Sequence, residues 1–200
     1  MNTDQLIAAL AADDRRDPPR LKARLSAGVL VSGMMLMLFW HIRPDLAQAV
    51  TRPLVMAKFL LPLTLAALVA ALWPRPGHAP ALWPAGLVLL PALALFAATL
   101  PTQAPWPAIA GHSLWVCLLS IPLLSVPPAL ALFAALRRSV VTRPDRAGLA
   151  AGLLAGALAA LVYALHCDED APAFYTVWYG LGIAISGLAG RLAGPRWLGV

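Results

Sequence analysis

The chain has 200 residues, of which 60% are hydrophobic and only 12% are charged. Because a soluble domain usually carries about 25% charged residues, this composition excludes an ordinary soluble protein and predicts a membrane protein. The net charge of +6 is no sign of nucleic-acid binding until the positions of the charges are known. The two cysteines are too few for a disulfide scaffold.

Residues 1–24 form a polar segment before the first apolar run. Asn2 and Gln5 have the spacing of a helix-capping pair, and the double proline at 18–19 ends the helix that they begin. Leu6, Ile7 and Leu10 share one face of this helix, and Asp4, Asp13 and Asp14 make it acidic. We expect so short a helix to lie in a groove of a partner protein. A helix lying on the membrane surface is the alternative, although its acids would meet anionic lipid.

Six apolar runs follow, and each is long enough to cross a hydrocarbon core about 30 Å thick as a helix. They cover residues 25–41, 54–73, 82–100, 113–136, 147–166 and 172–193. Prolines interrupt the second and third runs, which membrane helices tolerate. The sequence therefore predicts an all-α, polytopic bundle of six transmembrane helices in residues 25–193, between the segment at 1–24 and a tail at 194–200.

The positions of lysine and arginine orient these six helices, since cytoplasmic loops carry the excess of positive charge. With the N-terminus inside, 12 of the 15 basic residues lie on the inner side, and only Arg43, Arg52 and Lys58 lie on the outer side. We therefore expect both termini in the cytoplasm, a location in a bacterial inner membrane, and no direct contact with nucleic acid.

The predicted spans contain no Asp, Glu or Arg in their central parts. Lys58 lies near an outer end, where we expect its amine to snorkel to the interface. Transporters and pumps usually keep ionisable groups at the membrane midplane, so a small transporter or channel is the alternative function and not the favoured one. The sequence shows no catalytic constellation, and we expect that the protein is not an enzyme.

Small residues recur at four-residue spacing in the last two runs, and such faces let membrane helices approach closely. The predicted packing residues are Gly148, Gly152, Gly156, Gly182, Ser186 and Gly190. We expect packing between the fifth and sixth helices of one chain. Homodimerisation is the alternative, and the sequence leaves the oligomeric state open.

The fourth run holds three prolines, and the pair at 127–128 should kink or locally break its helix. A bend that fits the bundle is the simpler interpretation. A hinge between the outer and inner halves, formed by Pro122, Pro127 and Pro128, is the functional one.

Both cysteines and three of the four histidines fall at the outer ends of the predicted spans. Thiolate, imidazole and carboxylate together can bind a soft or borderline divalent metal. The candidate metal ligands are Cys117, Cys167, His112, His166 and Asp168, and the two thiols could instead pair as a disulfide. Since single membrane cysteines are usually apolar fillers, the hypothesis of a sensing thiol pair depends on this clustering. We expect no resident cofactor, only a transient metal ion at these thiols.

Five strings carry a resemblance to a known family: "TDQLIAALAAD", "RPDLAQAV", "SLWVCLLSIPLLSVPPALALF", "TRPDRAGLAAGLLAGALAALVYALHC" and "FYTVWYGLGIAISGLAG". Through them the chain resembles the NrsF family of bacterial membrane anti-sigma factors over nearly its whole length. The most specific part is "YALHCDED" followed by "WYGLG", and the second and third spans are the least specific.

This resemblance implies a six-span inner-membrane protein that holds an extracytoplasmic-function sigma factor inactive. It implies that the N-terminal segment contacts the sigma factor, through Asp4, Leu6, Ile7 and Leu10. It also implies that Cys117 and Cys167 link metal or oxidative stress to release of the sigma factor. A membrane metalloenzyme or redox protein is a further alternative, which would need a metal and a substrate pocket at the outer rim.

Overall fold

The computed structural model describes residues 2, 3, 5, 18–74, 78–103 and 105–199, in which the secondary structure is helical and no strand occurs. Four of the five long described helices begin at prolines, whose fixed φ and missing N–H suit a first helical turn. The helices are α1 (Pro18–Phe39), α2 (Leu46–Ala49), α3 (Pro53–Ala71), a 3-10 turn (Trp83–Val88) that continues into α4 (Leu89–Thr99), α5 (Pro105–Ala110), α6 (Leu114–Leu136), α7 (Pro144–Ala164) and α8 (Pro172–Leu198).

Five of the described helical segments are long and apolar enough to cross a membrane. They are Leu21–Phe39, Pro53–Ala71, Pro105–Leu136, Pro144–Ala164 and Pro172–Leu198. The third predicted run forms a shorter apolar helix, Trp83–Thr99, which starts as a 3-10 turn. The all-helical prediction is thus confirmed for the described residues, with five candidate spans in place of the six that we expected.

The bundle has two ends, which we name after residues that lie there. At the Arg143 end α6 ends and α7 begins, and at the Cys167 end α7 ends and α8 begins. Helix α1 runs toward the Cys167 end, since Ser32 contacts Leu124 in the middle of α6 while Arg43 contacts the main chain of Cys167. Helix α1 therefore begins, and α8 ends, at the Arg143 end.

The third run also passes between these two ends. His78 and Pro80 line a small cavity with Leu136 and Arg143 at the Arg143 end. Gly111 lies against Glu169 at the Cys167 end. Between residues 80 and 111 the chain therefore traverses the bundle, although its helix is shorter than the other five.

Helix α7 is the most deeply buried of the candidate spans, and it packs closely on α8. A methyl group added at Gly148 would overlap the carbonyl oxygen of Gly190, and one at Gly152 would overlap that of Ser186. Gly156 also lies against Ser186. These five predicted packing residues thus lie in a contact within one chain, where glycine lets two backbones touch.

Gly182, the sixth predicted packing residue, faces a different helix. A methyl group there would lie 2.9 Å from the Cβ of Ile121 in α6. Helix α8 therefore uses Gly182 to approach α6 and its other small residues to approach α7.

Helix α6 continues without a break through its three prolines, Pro122, Pro127 and Pro128. Proline at 128 has no N–H to give to the carbonyl of Leu124, and the Ser32 hydroxyl of α1 donates to that oxygen at 2.7 Å. A methyl group added at Gly28 would lie 2.8 Å from the Pro128 Cα, so α1 packs directly on the double proline. The expected local break is absent because a neighbouring helix supplies the missing donor.

Candidate functional site

Lys58 of α3 lies at the centre of the Cys167 end and is completely buried. Its ammonium group donates to the main-chain oxygens of Cys167 at 2.6 Å and Glu169 at 2.9 Å. The Asp170 carboxylate lies 3.5 Å away. The prediction that Lys58 snorkels to the interface is therefore wrong, because the α7–α8 loop folds over the amine and supplies the acceptors that a buried charge requires.

Arg43 is the second buried cation of this end, with its side chain 5% exposed. It donates to Asp170 through Nη1 at 2.7 Å and Nη2 at 3.1 Å, and to the Cys167 carbonyl at 3.1 Å. Its Nε and Nη2 donate to the two oxygens of Asp45 at 2.7 and 2.9 Å. The planar guanidinium thus bridges two carboxylates. The hydrogen bonds to Asp45 and Asp170 raise the pKa of Arg43, so it stays cationic.

Asp170 is the acceptor that these basic residues share. Arg43, Lys58 and Arg52 approach its carboxylate to 2.7, 3.5 and 3.7 Å. Burial works to raise the pKa of Asp170, but the hydrogen bond from Arg43 and the charge of Lys58 outweigh it and hold the pKa below 3.8. The three basic residues predicted on the outer side therefore meet at one acid. We call Arg43, Asp45, Arg52, Lys58 and Asp170 the Asp170 cluster.

Glu169 ties the same loop to the turn before α6. Its carboxylate, 12% exposed, accepts the main-chain N–H of His112 at 2.5 Å and lies 2.7 Å from the His112 Nδ1. Gly111 in this turn has a φ of +54°, and a methyl group there would overlap the Glu169 carboxylate. Glu169 and Asp170, the second and third residues of the acidic run "DED", thus hold the α7–α8 loop to other parts of the bundle.

Both predicted sensing residues, Cys117 and Cys167, are buried, at 0% and 2% exposure. Both are free thiols, and both belong to the same buried core cluster. The Tyr163 and Tyr179 rings, 5.9 Å apart, border them. The Tyr179 hydroxyl is buried in the same core.

The five candidate metal ligands are divided between separate places. Nδ1 of His166 lies 3.0 Å from the main-chain oxygen of His41. His112, 71% exposed, has its Nε2 3.5 Å from Asp168, apart from the buried thiols. Across the described ranges, no three His, Cys, Asp or Glu side chains are placed to hold a metal ion. The structure therefore brings the two thiols together without a third ligand.

The predicted partner-binding residues Asp4, Leu6, Ile7 and Leu10 lie outside the described residues. Of the same segment, the Asn2 main-chain N–H donates to the Gln5 side chain at 3.3 Å, which is one half of a capping box.

Sequence reasoning missed Lys58 and Arg43 as parts of the site. A lysine inside an apolar run was the available signal, since an ionisable residue at membrane depth is a candidate functional residue with a partner to be found. The partner, Asp170, lies two residues after Asp168, which the sequence predicts only as a metal ligand.

The described residues form a helical bundle that has five candidate membrane spans and buried charges at one end. Residues 6–199 match the family model described as "NrsF: Negative regulator of sigma F". The chain is 39% identical to the "Anti-sigma-F factor NrsF" of Caulobacter vibrioides, over 99% of both chains. It is 35% identical to the "Probable anti-sigma-F factor NrsF" of Azospira oryzae, again over 99% of both. The chain belongs to the NrsF family. No solved structure matches it.

Proposed function

We propose that this chain is a membrane-embedded anti-sigma factor that holds an extracytoplasmic-function sigma factor inactive. The observation that carries the proposal is the family match over residues 6–199, together with relatives of equal length that bear the name anti-sigma-F factor. An all-helical chain with five candidate spans fits a regulator that tethers its partner at a membrane.

The contact with the sigma factor is assigned to the N-terminal segment, with Asp4, Leu6, Ile7 and Leu10 as its binding face. An acidic amphipathic helix offers an apolar stripe for a groove and charges that a basic rim can meet. The main-chain hydrogen bond from Asn2 to Gln5 supports a helix start at this point of the chain.

A six-pass arrangement in the bacterial inner membrane, with both termini in the cytoplasm, completes the proposal. It is supported by the excess of 12 basic residues over three on the two predicted sides. It is also supported by the course of residues 80–111 from the Arg143 end to the Cys167 end. In this arrangement the Arg143 end faces the cytoplasm and the Cys167 end faces outward.

Release of the sigma factor is assigned to a change at Cys117 and Cys167. In the oxidative form, the two thiols give up two electrons and two protons to a hydroperoxide, whose O–O bond breaks to give one alcohol and one water molecule, and one S–S bond forms. In the metal form, further ligands would have to join the two thiols. Because Lys58 and Arg43 both bind the Cys167 carbonyl, a shift of this residue would disturb the loop that closes the bundle.

A pull-down from detergent extract tests the core of the proposal. The full chain and a chain without residues 1–20 serve as baits, and a Leu6→Asp, Leu10→Asp chain tests the apolar face alone. We expect the full chain to capture a sigma factor, and each altered chain to capture at least tenfold less of it. Equal capture by all three would place the contact elsewhere, and no capture of a sigma factor by the full chain would contradict the function itself.

A further inference from the structure

A cavity of about 420 Å³ opens at the Arg143 end, between the turn before α4, the start of α7 and the last turns of α8. Its lining includes Trp83, Leu149 and three arginines, Arg143, Arg146 and Arg191. We propose that this cavity binds the headgroup of an anionic phospholipid. The proposal does not depend on the proposed sigma contact.

The charges of the cavity are not balanced within it. Arg143 pairs with Asp145 at 3.4 Å, and this is the one acid in the lining. The guanidinium groups of Arg146 and Arg191 make no hydrogen bond or ion pair with another described residue, and both side chains are exposed. Two guanidinium groups therefore remain for a ligand, and the guanidinium fork matches the oxygens of a phosphate.

The surroundings of the cavity are apolar and exposed. Trp83 is 77% exposed, and Leu87, one turn further along, is 53% exposed. On the α8 side, Leu188 and Leu192 are 55% and 58% exposed. Such side chains face lipid in a membrane bundle, and tryptophan favours the headgroup level. The arginines therefore stand where the lipid-facing surface ends, at the height of lipid phosphates.

A phospholipid accounts for both parts of this surface. Free phosphate would use the arginines and leave the leucines and Trp83 without a role. A soluble acidic peptide would likewise leave the exposed apolar side chains of the 3-10 turn and of α8 unused. Basic pockets between membrane helices bind lipid headgroups in this way, with the acyl chains along the apolar surface. The pair of unbalanced arginines favours a lipid with two phosphates.

The test uses the purified full chain in a neutral detergent. Cardiolipin, phosphatidylglycerol and phosphatidylcholine are titrated separately, and bound lipid is counted by native mass spectrometry. The cavity variant is Arg146→Gln with Arg191→Gln. The matched control is Arg137→Gln with Arg196→Gln, which removes the same charge at the same end but outside the cavity lining.

We expect cardiolipin to bind most tightly and phosphatidylcholine to bind least. Since one basic residue near an anionic surface contributes about fivefold in affinity, the cavity variant should lose about 25-fold and the control no more than about twofold. Thermal unfolding without lipid should be the same for both, because all four arginines are exposed.

Three results would overturn the proposal. Equal losses in the cavity variant and the control would mean that the end attracts anionic lipid only through its general charge. Full displacement of cardiolipin by inorganic phosphate at the same concentration would mean a simple anion site, with no use of the apolar surface. Tighter lipid binding after deletion of residues 2–17 would make that acidic segment the resident occupant, and would also count against the lipid.

Discussion

The two ends of the bundle treat their basic residues in opposite ways. At the Cys167 end, Lys58 and Arg43 are buried and bound to Asp170 and to main-chain oxygens. At the Arg143 end, Arg146 and Arg191 are exposed, and their side chains make no hydrogen bond or ion pair with another described residue. Helices are joined there by glycine contacts between backbones, such as Gly148 against Gly190. One end is therefore held together by ion pairs and the other by close helix packing. The packing at the second end leaves the charges of Arg146 and Arg191 available to bind other molecules.

The same kinds of basic residue therefore have different roles at the two ends. A buried cation stabilises a membrane bundle only when each of its donors has an acceptor, so it fixes the loop that surrounds it. An exposed cation fixes nothing within the chain and can bind a phosphate or a partner. One end of a small helical bundle can thus be rigid while the other end stays open to binding.

The largest effect is expected from Asp170→Asn. It leaves Arg43 and Lys58 buried with less compensation, and removal of one partner from a buried ion pair costs about 3 kcal/mol or more. The free energy of unfolding can be measured by titration with SDS in mixed micelles. Asp145→Asn at the Arg143 end is the matched control, since its partner is about half exposed. Equal losses for the two variants would refute the contrast between the ends.

A smaller effect is expected from Gly148→Ala, which acts at the Arg143 end. The added methyl group overlaps the Gly190 carbonyl, and a backbone atom cannot turn aside, so α7 and α8 must separate at a cost of about 1–3 kcal/mol. Gly180→Ala is the control, because nothing lies within 4 Å of its added methyl group. That change should stabilise α8 by up to about 1 kcal/mol. The same micelle titration measures both, and a loss at Gly180 equal to that at Gly148 would contradict close packing as the cause.

The smallest expected effect is a dependence on pH that belongs to the Cys167 end. The pKa of Asp170 in the folded chain is below its ordinary value, while in the unfolded chain it is about 3.9. Its contribution to stability is therefore complete above about pH 4 and is lost as the pH falls through the folded pKa. The wild type should lose more stability than Asp170→Asn between pH 5 and 3. Parallel curves for the two proteins would show that Asp170 titrates as it does in the unfolded chain.

The helices could be predicted because long apolar runs favour membrane-spanning helices. The small residues of "GLAAGLLAGALAAL" likewise predict a tightly packed helix. The clustering of Cys117 and Cys167 at one end could likewise be expected from their positions in consecutive spans. The Asp170 cluster could not, because it joins residues more than 100 positions apart along the chain. Hydropathy places Lys58 near an interface, but only the path of the α7–α8 loop decides whether water or main-chain oxygens surround its amine.

The hydroxyl of Ser32 fixes the rotational position of α6 relative to α1. It bonds the one carbonyl in α6 that Pro128 leaves without its helical donor, seven residues after Cys117 on the same helix. Rotation of α6 by a single residue turns that oxygen by about 100°, away from Ser32. Helix α1 must then move with α6 or lose the hydrogen bond from Ser32 to the Leu124 oxygen. Because α1 begins at Pro18, at the Arg143 end, a rotation of α6 near Cys117 would displace a helix that starts at the opposite end of the bundle.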